Sequence, residues 1–371
     1  MTILPASAKL TVEEKGESLL EPGTILRDRY KIVGSIGQGG QAAVYEAEDV
    51  RLQGRRWAIK EIRLDHEADE ATRLQAAEQF QREASTLARL DHPTLPKVSD
   101  YFSEADHDYL VMDYVPGRDL KEIMNEARRA GRLLPEDQVL SWAAQICDAL
   151  DYLHKQDPPV LHRDIKPANI KLTPDNRIKL VDFGLVKLMA HDDSRTITVI
   201  QGRGTAAYTP LEQYGGDTGH TDVRTDIYSL GATLYHLLTN QSPPDAKQRF
   251  LRPDSLIPPR TLNPDISPRT EKAILGAIAI HPGDRPPSIV DFRDSLIPAQ
   301  LDVYGPQPPV ARRETQASQA VRALKVHWLS AVGAGLMIGI ALLITVLAEP
   351  IKQPPGVTPT PSPTPPVTLT P

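Results

Sequence analysis

Cysteine is all but absent from this chain: Cys147 is the single one among 371 residues. One thiol cannot close a disulfide within the chain. That excludes a cystine-stapled framework and fits a reducing compartment for the main domain. Cys147 itself lies in an amphipathic helical pattern and reads as an inert buried side chain. An excess of positive charge is missing too. The formal net charge is −6, so no general nucleic-acid-binding surface is expected. The first 20 residues lack an apolar run of the length a secretory signal needs and carry Glu13, Glu14 and Glu17 instead. Residues 1–24 therefore read as a flexible lead-in. What is present, 40% hydrophobic and 24% charged residues, suits a core-forming protein of one large or two ordinary domains.

From Tyr30 to Val115 the apolar residues follow a strand-like pattern, at 30–33, 43–47, 57–60 and 109–112. A helical stretch over roughly 67–90 interrupts them. From Leu120 onward helical spacing dominates, as in 139–154 and 226–238. Strands first and helices afterwards predict two lobes of an α+β protein. The globular pattern stops near Ile297. Residues 298–327 are proline-rich, then basic, with Arg312, Arg313, Arg322 and Lys325, and read as a juxtamembrane linker. Residues 328–348 hold no charge and are long enough for a transmembrane helix. A buried core helix is the alternative, but nothing globular follows to bury it. Residues 349–371 are dominated by Pro and Thr and cannot form a core. Four cations precede the span and only Lys352 follows it, which places the N-terminal side in the cytoplasm and the tail outside. Gly335 and Gly339 form a small-xxx-small pair that would suit a homodimer, although glycine is common in membrane helices generally.

Several short segments carry chemistry. Gly37-Gln38-Gly39-Gly40, followed by Ala42 and Val44, joins two strand patterns. Glycines let backbone N–H groups approach phosphates closely, yet glycine-rich hairpins are also common without any ligand. Lys60 ends a strand where two antiparallel neighbours would return its ammonium towards that loop. Glu83, in a helical pattern, is the candidate carboxylate to position it; an exposed helix glutamate is the blander alternative. The segment His162-Arg163-Asp164-Ile165-Lys166-Pro167-Ala168-Asn169 gathers acid, base and amide in one loop. A hydroxyl nucleophile needs a carboxylate to orient it and take its proton, which suits Asp164. Lys166 can offset charge on a transferring phosphoryl group. Asn169 can offer an oxygen to a magnesium ion. Thirteen residues on, Asp182 of Asp182-Phe183-Gly184 is a second metal-ligand candidate.

Together these segments, in this order and approximate spacing, resemble the eukaryotic-like (Hanks-type) protein kinases, and with a membrane helix after the domain the chain resembles the bacterial transmembrane serine/threonine kinases. The resemblance covers roughly residues 25–297. It implies a two-lobed kinase fold, with a small β-rich N-lobe (about 25–115) holding one helix and a larger, mostly helical C-lobe (about 116–297). It implies ATP as phosphoryl donor and Mg²⁺, with Mn²⁺ as an alternative, and protein Ser/Thr hydroxyls as acceptors. By the same resemblance Lys60 would touch the α- and β-phosphates and pair with Glu83, Asp164 would be the catalytic base, and Asn169 and Asp182 would hold two metal ions. Lys166, two residues after the base, is the serine/threonine rather than tyrosine pattern. Met112 would be the gatekeeper, backbone groups of Asp113 and Val115 would bind adenine, and Val44 and Ala58 would roof it. Lys171 departs from the apolar residue usual on the floor, and Ala42 from the third loop glycine. Glu212 would pair with Arg285, and Asp226 would brace the catalytic loop. Ser194, Thr196 and Thr198 are candidate phosphorylation sites whose phosphate Arg163 could receive; plain loop hydroxyls are the alternative. Thr205 would join the substrate-binding loop. A nucleotide-binding pseudokinase scaffold is the competing reading, although Lys60, Asp164, Asn169 and Asp182 are all present.

Overall fold

An antiparallel sheet with side chains on two opposite faces builds the first layer. In the structure, a computed structural model, residues 19–38, 42–63, 70–104, 107–182, 206–214 and 221–298 are described. The chain divides into two units, Met1–Gln307 and Pro308–Pro371, and all described residues belong to the first. Six strands, β1 (Ile25–Leu26), β2 (Tyr30–Gln38), β3 (Ala42–Asp49), β4 (Arg56–Arg63), β5 (Val98–Glu104) and β6 (His107–Asp113), form one antiparallel sheet in the order β1-β2-β3-β4-β6-β5. The register pairs Val44 with Lys60 and Lys60 with Leu110, and likewise Ala58 with Met112. Successive side chains on a strand point to opposite faces. The even-numbered residues Val44, Ala58, Lys60, Leu110 and Met112 therefore share one face. The odd-numbered Ala43, Tyr45, Ala47, Trp57, Ile59, Tyr109 and Val111 share the other, where they join Tyr30, Ile32 and Phe102 in an aromatic-rich core. Leu19 and Leu20 pack against that core, and the Leu20 N–H donates to the Tyr45 hydroxyl at 3.2 Å. One face of the sheet is thus committed to stability and the other is left for a site.

Helix α1 (Glu70–Ala88) packs on β5, with Phe80 edge-on to Tyr101 at 6.4 Å. It lies within the expected stretch 67–90. The second lobe contains α2 (Leu120–Arg129), α3 (Glu136–His154), α4 (Val223–Thr239), α5 (Ala246–Leu251), α6 (Pro259–Leu262), α7 (Pro268–Ala277) and α8 (Ile289–Leu296). A small sheet of β7 (Arg118–Asp119), β8 (Ile170–Leu172) and β9 (Ile178–Leu180) lies beside them. Helices α3 and α4 are buried nearly all round, with Trp142, Leu150, Leu234 and Leu237 fully inside. Each such side chain contributes about 1.5–3 kcal/mol. Gly231 makes the crossing of α4 over α7 possible: a Cβ there would stand 2.7 Å from the Ala277 Cβ. Cys147 is buried and its thiol is pushed up by desolvation, which leaves it inert. Capping sets the helix starts. Asp119 accepts from the Glu122 N–H at 2.8 Å while Glu122 reaches back to the Asp119 N–H, a complete capping box.

The expected transmembrane segment 328–348, most of the linker 298–327, the tail 349–371 and most of the lead-in 1–24 lie outside the described residues. Among the described residues, no helix is long and apolar enough to cross a membrane.

Candidate active site

A buried carboxylate organises the loop between α3 and β8. Asp226, near the start of α4 and fully buried, accepts from the backbone N–H groups of His162 at 2.9 Å and Arg163 at 2.8 Å, and meets His154 Nε2 at 3.0 Å. Burial alone would raise this carboxyl. The contact with His154, nearby His162 and the backbone donor outweigh burial and hold it below the ordinary range. Thr233, two turns along α4, donates to the Ile165 carbonyl at 3.3 Å. Two strained positions flank the site: Arg163 and Asp182 both adopt φ 62°. Non-glycine residues rarely hold such values unless the surroundings over-determine them.

The loop's polar side chains converge. Asp164 Oδ2 accepts from Lys166 Nζ at 2.8 Å and from Asn169 Nδ2 at 2.8 Å, and Asn169 Nδ2 also reaches the Asp164 carbonyl at 2.8 Å. The β8–β9 hairpin then brings Asp182 alongside. Ile170 pairs with Leu180, and the Val181 N–H donates to the Asn169 carbonyl at 2.8 Å. From the other lobe, Lys60, only 5% exposed, reaches Asp182 Oδ1 in a short ion pair. Lys60, Leu87, Pro96, Val98, Leu110, Met112 and Asp182 line a small pocket on the even-numbered face. Both hydrogen bonds of Asn169 use its nitrogen, which leaves Oδ1 for a cation. With Asp182 this is an all-oxygen pair, suited to a hard divalent ion that takes its other ligands from phosphate and water. Among the described residues no group of three or more His, Cys, Asp or Glu is placed to hold a metal ion by itself.

One expected contact is not formed. Glu83 does not meet Lys60. Its Oε1 accepts from Gln79 at 3.1 Å, and its buried Oε2 has no hydrogen-bond partner. Burial pushes the Glu83 carboxyl up to about 7, against the opposing effects of Gln79 and the Arg163 charge. The physical reason is competition: Asp182 already holds the lysine, and Glu83 sits on the side of the Arg163 charge.

The second expected pair is present. Arg285 donates to both oxygens of Glu212, at 2.6 and 3.1 Å, and to the carbonyls of Ala279 and Ile280 at 2.8 and 2.9 Å. At the link between lobes, Lys171 projects from β8 and donates to the Val115 carbonyl at 3.1 Å. Burial pulls this ammonium down, partly offset by Asp119 and Glu122. Gly117, at φ 112°, lets the link pass over β8, since a Cβ there would collide with the Leu172 carbonyl. Asp113 is ion-paired with Arg55. Gly37 and Gln38 end β2 opposite Val44 and Ala43. Gly39, Gly40, Phe183, Gly184, Ser194, Thr196, Thr198 and Thr205 lie outside the described residues. The bonds of His154 to Asp226 and of Tyr208 to His236 (2.6 Å) had no signature in the sequence. The Lys171 contact had one, its charge at an expected apolar position.

Comparison with known proteins places this geometry. Residues 30–259 match the model of the protein kinase domain. The chain is 36% identical to a protein of Clostridium acetobutylicum named a probable serine/threonine-protein kinase, over 74% of this chain and 40% of that one. It is 35% identical to the serine/threonine-protein kinase PknB of Mycobacterium leprae, over 77% of this chain and 44% of that one. The chain thus spans less than half the length of these curated relatives. The crystal structure of the Mycobacterium tuberculosis PknI kinase domain superposes with a TM-score of 0.56 at 30% identity, covering 75% of this chain and 98% of that one. The apo form of PpkA-294 gives 0.59 at 28% identity, covering 75% and 99%.

Proposed function

The chain belongs to the protein kinase domain family, and on that footing we propose that it is a serine/threonine protein kinase that transfers the γ-phosphoryl group of ATP to protein hydroxyls. The observation that carries this reading is the convergence of Lys166 and Asn169 on one oxygen of Asp164, with Asp182 beside them and Lys60 reaching in from the opposite lobe. Asp164 is held by two donors so that its carboxylate can orient an incoming Ser/Thr hydroxyl and accept its proton. Lys166, already on that carboxylate, is placed to offset charge on the phosphoryl group in flight. Asn169 and Asp182 would hold Mg²⁺, which when bound neutralises phosphate charge. With nucleotide and metal bound, Lys60 would be free to turn from Asp182 to the phosphates, with Glu83 as the carboxylate that could position it. Positioning and electrostatics are all that such a transfer asks of the protein.

The wider reading rests on sequence. The uncharged 328–348 segment and its flanking cations support a single membrane span with the kinase domain cytoplasmic and the tail outside. Gly335 and Gly339 support dimerisation through that span. Hydroxyls at 194, 196 and 198 are the autophosphorylation candidates, with Arg163 as receptor.

The test uses the full chain with ATP and Mg²⁺, beside Asp164→Asn and Lys60→Ala, with phosphosites mapped by mass spectrometry. Phosphate on Ser or Thr in the wild type alone is the expected result. No phosphate on the chain or on an added protein, with nucleotide binding intact, refutes a catalytic role and favours a scaffold.

A further inference from the structure

The transfer proposed above makes no use of a group of cations next to the catalytic loop. One face of α4 leads to them. Ser229 donates to the Tyr208 carbonyl at 2.8 Å, and Thr233 to the Ile165 carbonyl at 3.3 Å. His236 comes next on that face, with its Nδ1 2.6 Å from the Tyr208 hydroxyl. One turn further, Asn240 donates to the Arg132 carbonyl at 3.2 Å. The face that begins under the catalytic loop therefore ends against the connection between α2 and α3.

The charges on α2 are sorted by side. Glu126 is ion-paired with Arg118, and Glu122 closes the capping box with Asp119. Both carboxylates are engaged within their own element or beside it. Lys121 and Arg128 are exposed and stand seven residues apart, two turns along one face. Neither has an ion-pair partner among the described residues. Both act on His236: burial first, then the Arg128 and Lys121 charges, pull its imidazole down to about 4. The ring is thus neutral near pH 7. A neutral ring that accepts the Tyr208 hydroxyl at Nδ1 keeps its hydrogen on Nε2, where it is a donor. At His236 the Arg128 and Lys121 charges add to a donor Nε2, so a carboxylate fits there where a cation would be repelled.

We propose that Lys121 and Arg128 of α2, with His236 of α4, form the docking surface for an acidic stretch of the protein substrate, an Asp or Glu side chain lying near the hydroxyl to be phosphorylated. This rests on the kinase reading: α2 packs on the Pro167–Asn169 turn of the catalytic loop and α4 touches that loop at Ile165, which makes a substrate peptide, rather than a lipid surface, the fitting partner. Complementary charge at such a place acts on selectivity and encounter rate, and it weakens with salt.

The test is direct binding to the full chain, read by fluorescence anisotropy with two labelled peptides that share a central threonine and differ only in flanking Asp or Lys. The expected result is at least fivefold tighter binding of the Asp peptide, lost at 0.5 M salt. In Lys121→Glu/Arg128→Glu the preference should reverse, and in Lys121→Arg/Arg128→Lys it should persist. Equal binding of the two peptides overturns the proposal, as does a preference that survives charge reversal in a variant with unchanged melting temperature. A third overturning result is charge-dependent capture by phosphatidylserine vesicles with no peptide preference. Phosphate transfer to the same peptides is scored separately. No transfer to these peptides, to an added protein or to the chain itself would refute the kinase reading, while the binding result would still decide the docking surface.

Discussion

Replacing Glu83 by glutamine should stabilise the protein in mildly alkaline solution and leave it unchanged in acid. The carboxyl is half-buried on α1 with Oε2 unpartnered, and burial raises it to about 7 from an ordinary 4.5. In the unfolded chain the proton leaves near the ordinary value; in the folded chain it is held until about 7. The folded state therefore loses stability as pH rises through that window and stays at the lower level above it. At about 1.36 kcal/mol per unit, the full difference is about 3 kcal/mol. Solvent screening of a carboxyl that keeps part of its surface exposed reduces this to roughly 1–2 kcal/mol. Glutamine does not titrate and keeps a donor for the site, so Glu83→Gln should gain that amount at pH 8, about 2–6 °C in melting temperature, and nothing at pH 4.5. Thermal melts of both proteins without nucleotide, at those two pH values, are the assay. An equal change at both pH values would refute the burial argument, because packing rather than charge would then be at work. Phosphate transfer by the same variant should fall, since the partner proposed for Lys60 is lost. A variant both more stable and equally active would sink the claim that Lys60 changes partners.

Two further outcomes follow from the geometry. Arg285→Ala leaves Glu212 buried with one partner, the Thr225 hydroxyl at 3.2 Å; breaking such a pair costs about 3–5 kcal/mol, which a urea titration would read as a lower midpoint with unchanged slope. Lys171→Leu removes the ammonium that now occupies the Val115 carbonyl and lays an apolar side chain under the link; nucleotide affinity by calorimetry should rise several-fold, and a fall would show that Lys171 helps to hold the nucleotide.

The core of the N-lobe was legible because its strands obey a period of two: Tyr45, Trp57 and Tyr109 face one way and Lys60 the other. The catalytic loop was legible because Asp164, Lys166 and Asn169 sit within six residues, and a loop that short leaves their side chains few places to go. The short strands β1, β5, β7 and β8 were not anticipated. At two to seven residues they carry little periodicity, and tertiary pairing makes them. Contacts such as Tyr208 with His236 join residues 28 apart whose types promise nothing at that distance. The partner of Lys60 was the hardest to anticipate, for a different reason. Two carboxylates, Glu83 and Asp182, compete for one ammonium, and neither motif ranks them. The ranking comes from burial and backbone strain: Asp182 is held at φ 62° against the lysine, while Glu83 is desolvated enough to keep its proton near neutrality. A protonated Glu83 has no charge to offer Lys60, so the present pairing sustains itself until something else takes Asp182. A divalent cation held by Asp182 and Asn169 would be that competitor, so its binding would be coupled to the release of Lys60 and to the ionisation of Glu83. Metal alone, without nucleotide, should therefore lower the pH at which Glu83 ionises. Carbon-13 shifts of labelled glutamate with and without Mg²⁺ would read this, and an unmoved Glu83 titration would break the coupling.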